Sequence, residues 1–97
     1  MEVNMTTTQL GPSYYQAACF YAKRGNQERA NALCDEGIQT LLEVNVTDGI
    51  EALFFEKAII QDDPQKQFEL LKQADYYAKQ NKNLPLKALI REKLTSN

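Results

Sequence analysis

The chain has no histidine. That removes the usual general base near neutral pH, the Ser-His and Cys-His nucleophile pairs, and the commonest transition-metal ligand. It also lacks a glycine-rich phosphate loop, a nucleophile elbow and a Cys-x-x-Cys pair, so the common enzyme signatures are missing together. No apolar run reaches the roughly 20 residues of a membrane span, and the polar start MEVNMTTTQLG does not have the order of a signal peptide. A cytoplasmic protein is expected. The two triplets Asn4-Met5-Thr6 and Asn45-Val46-Thr47 then read as chance matches to a glycosylation site.

Charge of one sign is also lacking. Eleven basic and 13 acidic side chains leave a net charge of −2, with no global field to draw the chain to nucleic acid or an anionic membrane. Only the C-terminal end is mildly basic, through Lys79, Lys82, Lys87, Arg91 and Lys93. Without interleaved aromatic residues these five read as a solvated face, and direct nucleic-acid contact is not expected. With 97 residues, 43% of them apolar, one small soluble domain with a modest core is the expected scale. The only two cysteines, Cys19 and Cys34, fall inside expected helices that should be neighbours. Buried thiols are favoured there over a disulfide.

What is present is helical periodicity. Ala17, Ala18, Tyr21 and Ala22 recur before the turn Arg24-Gly25-Asn26; Ala30, Leu33, Cys34, Gly37, Ile38, Leu41 and Leu42 recur after it. Helix one is expected from Ser13, capped there and by Gln16, after a Gly11-Pro12 break. Helix two should run from Asn26 to about Val44. Its Gly37 costs about 1 kcal/mol relative to Ala, a cost that makes sense where a second helix packs against the backbone. Asp48 with Glu51 suggests a capping box for a largely buried helix at 49–61. Asp63 as cap and Pro64 at the first position start a fourth helix, ending near Gln80 and presenting Phe68, Leu71, Ala74, Tyr77 and Ala78. A last amphipathic helix follows the turn Asn81-Lys82-Asn83. No segment alternates with period two, so the expected fold is all-α, with about five antiparallel helices. The organisation read from this is an N-terminal tail at 1–12 and one domain at 13–97, with hairpins 13–44 and 49–80 and a capping helix at 84–95.

Aligning Gly25 with Asp62-Asp63 gives an internal repeat of about 37 residues, slightly longer than the tetratricopeptide unit of about 34. Tyr14, Ala17, Ala18, Tyr21, Gly25, Ala30 and Gly37 resemble that family's pattern. The second unit is degenerate, with Phe55 and Gln67 at small-residue positions and Ala74 retained. The resemblance implies a right-handed array binding an extended peptide or protein segment along its first helices. By alignment these candidate groove residues are Tyr15, Cys19, Lys23, Ala52 and Glu56. Degenerate repeats followed by an amphipathic helix are similar to the C-terminal sensing domains of Rgg- and PlcR-type transcription regulators of Gram-positive bacteria.

Two hairpins and a cap fall short of the about three repeats that normally stabilise such arrays, so an expected homodimer or a further domain would cover the open end. The resulting expectation is a non-enzymatic, peptide-binding module with no cofactor and no metal. A self-assembling scaffold without a small ligand is the alternative, and a thiol-dependent enzyme using Cys19 is the third.

Overall fold

The structure, a computed structural model, describes residues 7–95, with side chains from residue 10 onward. Five α-helices follow one another: α1 (Thr7–Lys23), α2 (Gln27–Glu43), α3 (Ile50–Ile59), α4 (Pro64–Gln80) and α5 (Leu84–Thr95). Among the described residues there is no strand, and the all-α class stands. Each helix packs on the next in the chain, and α1 also touches α3.

Three of the helices stop in the same way. The residue just past the cap is left-handed: Gly25 after α1, Asn45 after α2 and Lys82 after α4. In each case the following amide reaches back to the carbonyl five residues earlier, Asn26 to Tyr21, Val46 to Leu41 and Asn83 to Ala78, all at 2.9 Å. These bonds satisfy carbonyls that a helix end otherwise leaves without partners. Starts are set by side chains at α2, where Asn26 accepts from the Arg29 amide, and at α4, where Asp63 accepts from Gln65 and Pro64 occupies the first turn.

Two expected starts are corrected. Helix α1 begins at Thr7 rather than Ser13 and carries Pro12 inside it, so residues 7–12 are helix and not tail. Gly11 is there for closeness: a Cβ on it would stand 2.8 Å from the Asp48 carbonyl oxygen, where α1 crosses the α2–α3 loop. The remaining tail residues and the Asn4 triplet lie outside the described residues. Helix α3 spans 50–59 rather than 49–61, and its N-cap is Gly49 at φ 88°, with no side-chain cap. The expected Asp48–Glu51 box is absent because Glu51 is engaged elsewhere.

Glu51 is buried and accepts from Asn81 Nδ2 at 2.6 Å and Asn83 Nδ2 at 3.0 Å. Asn81 Nδ2 also donates to the Thr47 carbonyl at 2.7 Å, and Asn83 Oδ1 caps α5 by accepting from Leu86. One carboxylate thus ties the α2–α3 and α4–α5 loops together through charge-assisted hydrogen bonds. Around it lies the main core of Leu41, Ile50, Leu53, Phe54, Phe55, Ala58, Leu71, Ala74, Ala78 and Ile90. Phe54 stacks on Tyr77 with ring centres 5.6 Å apart. A smaller core of Ala18, Leu33 and Cys34 joins α1 to α2. Gly37 meets the expected close approach: a Cβ there would come within 2.8 Å of Tyr14 and 2.9 Å of Leu53.

Some apolar residues expected in the core are not there. Phe68 is exposed, and of the residues that helical spacing puts on the apolar face of the last helix, Leu86, Leu89, Ile90 and Leu94, Leu89 is exposed too, while Ile90 is fully buried and Leu86 and Leu94 pack on the core from its edge. Gln67 stands at the repeat's small-residue position for a different reason. Its Nε2 donates to the Ala58 carbonyl at 3.1 Å, satisfying the C-terminal end of α3.

Candidate functional site

Along α1, the spacing Tyr15, Cys19, Lys23 puts one side chain per turn on a single face. That face meets the C-terminal half of α3. Between the two helices lies an open cavity of about 770 Å³, and Tyr15, Cys19, Lys23 and Glu56 all line it. Four of the five groove residues inferred from the sequence therefore share one site. Ala52, one turn before Glu56, is half-buried and not part of its walls. Its lining on α3 runs from Glu56 toward the C-terminal end, with Ile59 and the following Ile60, and on α1 it includes Ala22.

Phe20 is the residue the sequence reading missed. It is half exposed on the cavity wall, with the Arg24 guanidinium 4.4 Å above its ring and Tyr21 against its edge. Ile59, also in the wall, is 39% exposed. Helical spacing alone places Phe20 one turn from Gln16 and Arg24; it does not say which side of α1 the neighbouring helices leave uncovered. Exposed apolar side chains that converge on a concavity, rather than scatter singly, mark a contact surface.

Polar groups sit on the floor. Glu56 is only 5% exposed, and its Oε1 accepts from Cys19 Sγ at 3.5 Å. Burial, assisted by hydrogen bonding with Cys19 and the nearby negative charge of Glu56, pushes the Tyr15 hydroxyl up to about 12. Burial also raises the Cys19 thiol above its usual range, with Glu56 adding to the rise and Lys23 opposing it. Cys19 is thus held as a thiol at neutral pH, the weakly nucleophilic form. Cys34, fully buried behind it, is pushed up to about 12 chiefly by burial. Both cysteines are free.

Adjacent positions on a helix point about 100° apart, so the pairs Tyr14-Tyr15 and Tyr76-Tyr77 are each expected to place one ring in the core and one outward; Tyr14 and Tyr15 do not divide that way, since both are half-buried. Tyr14 donates to Glu36 Oε2 at 3.1 Å and packs against Gly37. Tyr76 and Tyr77 do divide that way: Tyr76 is 58% exposed and Tyr77 lies on Phe54.

The five basic residues near the C-terminus do not make one face. Lys79 and Lys82 belong to the end of α4 and its turn, and the Arg91 Nε lies 3.5 Å from Asp75 Oδ1. Lys93 stands about 200° around α5 from Arg91. Lys57 pairs with Asp35 beside a second, more polar cavity of about 350 Å³ near Gln61 and Lys66. Among the described residues no group of three His, Cys, Asp or Glu side chains is placed to hold a metal ion, and no helix is long and apolar enough to cross a membrane. Compared with protein-family models, curated proteins and solved structures, the chain matches none.

Proposed function

We propose that this chain is a non-enzymatic interaction module that binds a peptide or protein segment in the cavity between α1 and α3. The observation that carries this reading is the cavity itself: an open concavity with exposed Phe20 and Ile59 on its wall and tyrosine, thiol and carboxylate groups on its floor. An extended segment needs a long open surface and a few apolar pockets, whose burial offsets the cost of ordering the ligand. A tetratricopeptide-like right-handed array is the finer fold proposed, supported by the contact of α1 with α3, the first helices of the two hairpins. The specific form proposed is the sensing or oligomerisation domain of a cytoplasmic transcription regulator, working as a homodimer.

The experiment uses immobilised pools of N-acetylated, C-amidated hexapeptides, followed by thermal denaturation with the peptides retained. A ligand at about 100 times its Kd adds about 2.7 kcal/mol to stability. The double substitution Tyr15→Ala/Lys23→Ala is expected to abolish that gain and leave the ligand-free melting temperature close to wild type. Retention of no pool, or an undiminished gain in the double variant, would count against the proposal; collapse of the ligand-free variant would mark the two side chains as fold-forming.

One set of observations favours assembly as a second reading. Phe68, Leu84 and Leu89 are exposed at the α4–α5 end, the kind of surface a second subunit covers. Light scattering coupled to size exclusion at two concentrations tests it: a strict monomer removes self-assembly, together with the homodimer of the first reading, and leaves peptide binding standing.

A further inference from the structure

The two buried carboxylates of α3 are treated very differently by the fold. Glu51 has two amide donors aimed at it, from Asn81 and Asn83. Glu56, equally buried, faces the cavity, and its hydrogen bond comes from a thiol, one of the weakest donors available. No salt bridge to it forms among the described residues. Taking a carboxylate out of water without a cation is costly, and a side chain that only filled the bend between helices would be served better by Gln or Leu. Around Glu56 the cavity offers aromatic rings, Tyr15 and Phe20, and the aliphatic Ile59. Among its described lining residues the one cation is Lys23, on the last turn of α1, and the Arg24 guanidinium lies over the Phe20 ring.

We propose that Glu56 makes this cavity selective for a cationic side chain, a lysine or arginine of the bound segment. The stem would lie along Phe20 and Ile59, and the ammonium or guanidinium would meet the Glu56 carboxylate on the floor. This inference rests on the peptide-binding reading above and adds the chemistry of the residue that enters. Apolar walls suit the long methylene stem of these side chains, and aromatic faces attract their charged heads. A buried carboxylate whose hydrogen bond in the free protein comes from a weak thiol donor gains a cationic partner on binding, so the desolvation cost is already met by folding before the ligand arrives.

The test is fluorescence polarisation with labelled pools of capped hexapeptides in which one internal position is fixed as Lys, Arg, norleucine or Glu. Capping removes terminal charges, so the fixed residue is the variable. Lys and Arg pools are expected to bind wild type about tenfold more tightly than norleucine, with Glu weakest. Glu56→Gln should bring Lys and norleucine to within about twofold. Lys23→Met, at an exposed position, should weaken every pool through the lost peptide contact yet widen the gap between Lys and norleucine, because a competing cation has gone; this arm decides the matter if Glu56→Gln does not fold. Equal binding of Lys and norleucine to wild type, a preference for Glu, a gap that survives Glu56→Gln, or one that Lys23→Met leaves unchanged or narrows would each overturn the inference while leaving peptide binding intact. Binding of no pool would overturn both.

Discussion

The two ends of α3 hold the same chemistry in opposite states. At its N-terminal end Glu51 is closed in, with Asn81, Asn83 and the Thr47 carbonyl forming a continuous network between two loops. Five residues on, Glu56 is as deeply buried but looks into an open cavity, with a thiol for company. Identical side chains on one short helix thus meet different surroundings: the first is tied into the fold by two amide donors, and the second has a single weak thiol donor and lines a cavity. Burial of an ionisable group is therefore a poor guide to its role until its donors are counted.

The two carboxylates should differ most in what they contribute to stability. Glu51→Gln replaces an acceptor oxygen with an amide that faces another amide donor, and is expected to cost about 2 kcal/mol in urea unfolding. Glu56→Gln removes a desolvated charge and keeps an oxygen for Cys19, so its cost should be under about 0.5 kcal/mol, or slightly favourable. Equal losses at the two positions would erase the distinction between a tied and a weakly held carboxylate.

A smaller effect separates the groups behind the cavity floor by pH. Cys34 and Tyr15 both have folded pKa values raised to about 12, from about 9 and about 10 when unfolded. Above pH 9 the unfolded chain therefore gives up protons that the folded chain keeps, and stability falls as pH rises. The contribution is whole below pH 9, is reduced by about 1 kcal/mol near pH 10 after allowance for solvent screening, and disappears through pH 12. Denaturation at pH 8, 9 and 10 measures it, and Cys34→Ala is expected to flatten the decline. A stability that rises from pH 8 to pH 10 would contradict the burial of these groups.

Much of this fold is legible locally. Asn26 and Asp63 announce helix starts, Gly25 and the Asn81-Lys82-Asn83 turn announce stops, and the Tyr15, Cys19, Lys23 spacing places three cavity residues on one face. The failures share a cause: a residue with a plausible local role is taken over by a distant partner. Gly11-Pro12 has the composition of a break, yet Gly11 is required by the backbone of Asp48 and the helix runs through Pro12. Glu51 is at capping-box distance from Asp48, yet Asn81 and Asn83, some 30 residues away, claim it. Phe20 escaped for a related reason, because periodicity defines faces of α1 without saying which one α2 and α3 leave open. Such long-range claims have no signature in a single sequence.

Whether the concavity between α1 and α3 receives a peptide segment can be read by mapping the contact. Amide chemical shifts of the isotope-labelled chain would be followed during titration with a Lys-containing hexapeptide from a retained pool. The largest changes are expected at Tyr15, Cys19, Phe20, Glu56 and Ile59, with those around Glu51 small. Changes concentrated instead on Phe68, Leu84 and Leu89 of α4 and α5 would contradict the account and place recognition at the opposite end of the molecule.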